Sequence, residues 1–308
     1  MPVPQLKFIR ALWGAEGQYS TDINVLFAEI HRLGYAGIEA TLKDVHRLTE
    51  QDPDAFHRAL RENHLEFVGL IQTNYPTVKD DTWQDLSIDQ HVNNIEYHLN
   101  QFLPYEPIHV NIQGGQDSWS IEENEQFFEQ ALQIQSKLPT ITCSHEVNNL
   151  LLFNTIYHIS VFQTHRTRSL YNPYITFRMV KRFPNLRLTA DYSHFVLVCE
   201  RLLVHETDEE RFRLFASRVD HLHARVGTAQ HAQITDPNQA KNECEVMQHW
   251  WEMIWNAQKD RQWITVVPEY GPAPYAMTSD IDVWKLTNQE MERQKKNYEK
   301  WSNTVDEQ

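Results

Sequence analysis

Glycine is scarce, with 9 in 308 residues, under half its average share. Gly14, Gly17, Gly34, Gly37, Gly69, Gly114, Gly115, Gly227 and Gly271 never fall into GxGxxG or GxxxxGK[ST] spacing, so there is neither a dinucleotide fingerprint nor a phosphate-cradling loop. No organic cofactor is therefore expected. Cysteine is also rare: Cys143, Cys199 and Cys244 are odd in number, far apart and without a CxxC pair. That excludes a zinc ribbon and a disulfide framework and suggests reduced thiols in a cytoplasmic protein. Long apolar runs are missing. The most apolar window, Leu150–Phe162, is interrupted by Asn154, Thr155, His158 and Ser160 and is too short to cross a bilayer. The first residues, Met1–Lys7, have no signal-peptide core. Basic runs are short (Arg166-Thr-Arg168 and Lys295-Lys296), and 28 Lys and Arg face 42 Asp and Glu, a net charge of −14. Nucleic-acid binders need clustered cations to displace phosphate counterions, so neither a nucleic-acid nor a membrane partner is expected. A homo-oligomer is compatible with the sequence.

What the chain does contain is an ordinary globular balance, 41% hydrophobic and 23% charged, and a regular alternation. Eight short β-rich runs recur: Leu6–Trp13, Ala36–Ala40, Leu65–Thr73, Ile108–Gln113, Thr140–His145, Leu186–Ala190, Val219–Ala224 and Trp263–Pro268. Each is short enough for a strand buried on both faces. Between and after them lie segments of helical period. Asp22–Leu33 sets Val25, Leu26, Ile30 and Leu33 on one face, behind a Thr21-Asp22 cap and ahead of Gly34. A second begins at Asp52-Pro53, an N-cap followed by proline at the first helical position. Further helices are expected at Ile88–Phe102, Glu122–Leu138, Pro173–Arg182, Asp208–Ser217, Glu243–Gln258 and Ile281–Trp301. Eight strands alternating with helices, without a composition break, predict a single (β/α)8 TIM barrel over residues 1–302, with 303–308 as a polar tail. An open doubly wound sheet is the alternative topology.

Chemistry in such a barrel gathers where strands end. Run five ends in Ser144-His145-Glu146, run six leads into Asp191-Tyr-Ser-His194, run seven holds His221-Leu-His223-Ala-Arg225, and run eight ends in Pro268-Glu269-Tyr-Gly271. Singly, such a carboxylate is usually solvated and such a histidine usually a hydrogen-bonded core residue. Four in strand register, Glu146, Asp191, His223 and Glu269, form an O/O/N/O set suited to one divalent cation. Mn²⁺, Mg²⁺ or Co²⁺ suits these donors best, and Zn²⁺ is also accepted. His221 alternates with His223 through Leu222, which puts it one layer deeper on the same lumen side, as a supporting residue, a substrate contact or a core residue.

Together, Gly34-Tyr-Ala-Gly37-Ile-Glu39, His145-Glu146, Ala190-Asp191-Tyr-Ser-His194, His221-Leu-His223-Ala-Arg225 and Pro268-Glu269-Tyr-Gly271-Pro272 resemble the sugar phosphate isomerase/epimerase superfamily, the xylose isomerase-like TIM barrels. The similarity runs in order along nearly the whole chain. It implies that Glu146, Asp191, His223 and Glu269 bind one metal. It also implies that Glu146 and Glu269 flank the reacting carbons of a small carbohydrate, one removing a proton beside the carbonyl and the other returning one from the opposite face through an enediolate. The resemblance places His194 and Arg225 near sugar hydroxyls or a phosphate, and lets Trp13 and Trp119 offer ring faces to a sugar. Trp250, Trp251 and Trp255 are read as packing on an outer helix. Alternatives stay open at this point: a lyase that dehydrates a cyclic polyol or a dehydroshikimate-like acid, an abasic-site nuclease, or a barrel without activity. The nuclease would need more early histidine ligands and a basic face.

One segment departs from the family pattern, in which His-Glu is often followed directly by Thr-His-Arg. Here Val147–Gln163, 17 uncharged residues, separates His145-Glu146 from Thr164-His165-Arg166. A valine codon begins GT and a glutamine codon can end AG, so 51 nucleotides, three per residue of the segment, could be an in-frame translated intron. The competing reading is an apolar lid.

Overall fold

The computed structural model describes residues 3–79, 84–147, 168–272, 275–276 and 281–306. Of the segment 147–163, only Val147 lies among them. Its N–H donates to the Thr189 carbonyl at 3.2 Å and its side chain is fully buried.

All eight expected strands form: β1 Gln5–Ala11, β2 Gly37–Thr41, β3 Glu66–Gln72, β4 His109–Gln113, β5 Cys143–Glu146, β6 Leu188–Ala190, β7 Val219–His223 and β8 Trp263–Val267. They pair in parallel, each with the next in sequence, and β8 closes on β1. The chain is a single (β/α)8 barrel, not an open sheet. Every strand is hydrogen-bonded on both sides, so no edge remains.

The main core lies between strands and helices, where Phe27, Phe56, Phe67, Phe102, Phe127 and Phe195 are fully or almost fully buried. Inside the barrel, Ile9, Val68 and Val267 form a small apolar plug. Beside it runs a polar chain: His109 Nε2 lies 2.6 Å from Ser144 Oγ, which lies 2.6 Å from Thr189 Oγ1.

Helix starts follow local chemistry. Asp22 accepts from the backbone N–H groups of Asn24 and Val25, and Ser87 and Ser120 form capping boxes with Gln90 and Glu123. Three details correct the sequence expectations. Leu26 and Ile30 are buried as expected, but Phe27 joins them while Val25 is half exposed, because the apolar face is centred between Leu26, Phe27 and Ile30. The last helix, Val283–Asp306, continues beyond Trp301 through most of the expected polar tail. Helices Leu42–Thr49 and Ser193–Cys199 were not anticipated. No helix among the described residues is long and apolar enough to cross a membrane. Cys143, Cys199 and Cys244 form no disulfide.

Candidate active site

The C-terminal ends of the strands deliver their polar residues to one mouth. Glu146 ends β5 and His223 ends β7, while Asp191 and Glu269 follow β6 and β8 by one and two residues. Between β6 and β7 the register shifts at Leu188/Thr189, so that Thr189 faces His221; such an irregularity re-aims the residues beyond it. One ligand atom from each of Glu146, Asp191, His223 and Glu269 lies within 4.8 Å of the others, and all four residues are buried.

His223 is the hub. Its Nδ1 lies 3.0 Å from Glu269 Oε2 and 3.4 Å from Glu146 Oε1. Its Nε2 lies 3.2 Å from Glu39 Oε2. Glu39, at β2, also takes His221 Nε2 at 2.7 Å, and His221 Nδ1 meets Thr265 Oγ1 at 2.6 Å. His221 therefore sits one layer below His223, as its alternation implied, with both ring nitrogens engaged. Glu39 takes His223 by Nε2 and so leaves Nδ1 facing the carboxylates.

Glu146 is oriented as firmly. Asn111 and Gln113, alternating inward along β4, donate to its Oε2 at 2.6 Å and 2.8 Å, and Gln72 donates to Gln113 Oε1 at 3.0 Å. That leaves Glu146 Oε1 buried with no hydrogen-bond partner, turned toward His223 Nδ1. A buried carboxylate oxygen without a donor is unfavourable, and a divalent cation would satisfy it. The donor set thus fits a metal on the structure's own terms. Asp191 is the most committed of the four. Its Oδ1 accepts from Ser193 N–H at 3.2 Å and Ser193 Oγ at 2.6 Å, and its Oδ2 pairs with Arg225 and with His194 Nε2 at 3.2 Å.

The electrostatics split the carboxylates. Burial raises the proton affinity of Glu39 and Glu146, but the charge of His223, with the hydrogen bonds of His221 and His223 at Glu39 and of Gln113 at Glu146, outweighs it and holds both below the ordinary range. Burial is likewise overcome at Asp191, by Arg225 and His194. At Glu269 burial wins and lifts the carboxyl to about 7. His223, despite burial, is held well above its usual value by Glu269, Glu146 and Glu39. Positive charge at His223 thus offsets the surrounding carboxylates, the charge a divalent cation held by them would supply.

The rim residues fall around this cluster. Arg225 donates to Ser193 Oγ at 3.2 Å, pairs with Asp191 and His194, and lies 3.5 Å from Glu269. Trp13 is about one-third exposed and stands edge-on to Tyr275 at 5.0 Å. Its ring lies so close to Gly271 that a Cβ there would come within 2.1 Å. Trp119 instead packs against His91 and Phe127, at 5.1 Å and 5.3 Å. Trp250, Trp251 and Trp255 are buried, as expected of packing residues.

Glu39, Asn111 and Gln113 escaped the sequence reading as site residues. Each carried a signal: Glu39 is an acid inside an apolar run, and His109-Val-Asn111-Ile-Gln113 alternates polar and apolar with period two.

The fold is that of the xylose isomerase-like TIM barrels. Among solved structures, a sugar phosphate isomerase/epimerase from Parabacteroides distasonis superposes with a TM-score of 0.56 at 10% identity, covering 92% of this chain and 96% of that one. A xylose isomerase domain protein from Alicyclobacillus acidocaldarius gives 0.55 at 10% identity over 94% and 98%. D-psicose 3-epimerase from Clostridium cellulolyticum gives 0.52 at 13% identity over 92% and 95%. No family model matches the sequence, and no curated protein sequence matches it.

Proposed function

We propose that this protein is a divalent-metal-dependent isomerase or epimerase of a small sugar, sugar phosphate or polyol derivative. The observation that carries the reading is the pair Glu146 and Glu269. Both are buried, belong to one four-residue cluster and reach His223 Nδ1, at 3.4 Å and 3.0 Å. Two carboxylates placed together in this way suit one to take a proton and the other to return one. The solved isomerases and epimerases of the same fold support the substrate class.

Glu146, Asp191, His223 and Glu269 would hold the ion, which when bound supplies Lewis acidity toward a carbonyl and its neighbouring hydroxyl. Mn²⁺, Mg²⁺ or Co²⁺ suits three carboxylates and one imidazole, and Zn²⁺ is also accommodated. Glu146, held in place through Oε2 by Asn111 and Gln113, takes the proton beside the carbonyl. Glu269 delivers a proton from the opposite side. Arg225 and His194 align substrate oxygens, Trp13 offers its ring at the rim, and His221 acts through Glu39.

Metal content and turnover on a sugar and polyol panel test this, with NMR in D₂O as the readout. Glu269→Gln is expected to lose metal or most turnover, and wild-type protein is expected to exchange a carbon-bound proton without losing water. Full metal content with full activity in Glu269→Gln would refute the site, and water loss would move the reaction to dehydration.

A further inference from the structure

Arg168 ends the short basic run Arg166-Thr-Arg168. It is completely buried, and none of its three guanidinium nitrogens has a hydrogen-bond partner. Among the described residues no carboxylate pairs with it. Its place is set by the backbone: the Ser169 N–H donates to the Gly114 carbonyl at 3.1 Å. Gly115, with φ at 75°, approaches Ser169 so closely that a Cβ would lie 1.8 Å from its Oγ. Arg168 is thereby held at the strand-end mouth, near Tyr75 and Tyr275 and close enough to Glu146 and Asp117 for their negative charges to act on it. Tyr275 in turn lies against Arg225 and Trp13.

A buried, unpaired guanidinium is among the costliest groups a protein can hold, and it cannot shed its charge at working pH. The divalent ion that would satisfy Glu146 Oε1 cannot satisfy a cation, and a neutral sugar could accept its hydrogen bonds without balancing its charge. We infer that Arg168 receives an anionic oxygen group of the substrate, a carboxylate or a phosphate monoester, so that the natural substrate is an acidic carbohydrate rather than a neutral one. The planar fork of guanidinium donors matches either group through two parallel hydrogen bonds. This deepens the functional reading above and rests on the same pocket being the substrate site.

Calorimetric titration of the full chain, with and without Mn²⁺, tests it with three six-carbon probes: D-gluconate, D-fructose 6-phosphate and D-fructose. Wild-type protein is expected to bind one of the acids at least about tenfold more tightly than D-fructose, the scale of one charged hydrogen-bond contact. Arg168→Met should bring that acid down to the affinity of D-fructose, and Arg168→Lys should keep part of the preference. The acid that responds identifies carboxylate or phosphate as the source. The unliganded Arg168→Met variant should melt at or above the wild-type temperature, because it removes an unpaired buried charge. Failure of both acids to bind wild-type protein better than D-fructose, an undiminished preference in Arg168→Met, or a clear fall in its melting temperature would each overturn the inference. Metal content measured on the same samples separates the two readings: metal bound without acid preference removes only the role of Arg168. Acid preference without metal removes the metal-dependent reaction and leaves Arg168 standing.

Discussion

His223 joins two groups of side chains that the sequence keeps far apart. Glu39 lies 184 residues away, yet it determines which imidazole nitrogen faces Glu146 and Glu269. Carboxylates placed in this way behind a metal-binding histidine typically alter affinity 10–100-fold. Glu39→Gln is expected to weaken Mn²⁺ binding by roughly that factor while the barrel stays folded, measured by titration beside far-UV circular dichroism. Unchanged affinity would reduce Glu39 to packing. At this scale the candidate ligands were legible, because Glu146, Asp191, His223 and Glu269 lie at or just beyond strand ends, where the barrel geometry alone assigns a side chain to the mouth. Glu39, Asn111 and Gln113 were not, because their roles are set by partners across the barrel. Arg168 was hidden for a different reason: only burial distinguishes an unpaired arginine from a solvated one.

Among the elements, strands were read more securely than helix faces. Each strand is a short, mostly apolar run bounded by turns, and all eight formed within a few residues of expectation. Leu42–Thr49 was missed because it starts directly from β2, capped by Thr41 with Asp44, so no loop announces it. Ser193–Cys199 is mostly buried, which leaves it no amphipathic period.

The connection after β5 carries the anomaly of the chain, and we propose that Val147–Gln163 is translated intron. Joining Glu146 to Thr164 would put threonine where Val147 now completes the ladder to Thr189. Threonine shares valine's branched shape and supplies the same backbone N–H, with a hydroxyl as the added cost. The joined chain is expected to fold cooperatively and to keep its metal-binding capacity, checked by thermal melting and metal content. A joined chain that does not fold, or complementary DNA that always contains the segment, would refute the proposal.

For the molecule as a whole, buried histidines make acid the natural denaturant. Burial, with a contribution from Arg168, pushes His91 down from 6.5 to about 3, and burial alone takes His145 to about 3. Both are neutral when folded, so below about pH 6.5 the unfolded chain binds protons that the native one refuses. Their stabilisation is complete above that pH and is lost as pH falls toward 3. Glu269, raised to about 7, acts in the opposite sense between 4.5 and 7, but it is common to wild type and variant alike. The difference between wild type and His91→Gln therefore isolates one histidine. Wild-type protein should lose about 1.4 kcal/mol more per pH unit below 6.5 than His91→Gln does, read from urea unfolding at pH 6.5 and 5. Equal losses would show that His91 titrates normally in the fold.

By itself, the sequence determined the parallel barrel, its strand order and the four groups at its mouth. Alternation, caps and strand-end position are local properties that depend on residues a few places apart. Only the tertiary structure decided what those groups do to one another. Closing β8 on β1 brings Glu39 to His221 and His223, clamps one oxygen of Glu146 while orphaning the other, and shuts Arg168 away from water without a hydrogen-bond partner. Hydrogen bonding and desolvation act over a few ångströms of space whatever the separation along the chain, so these properties arise only once the barrel closes.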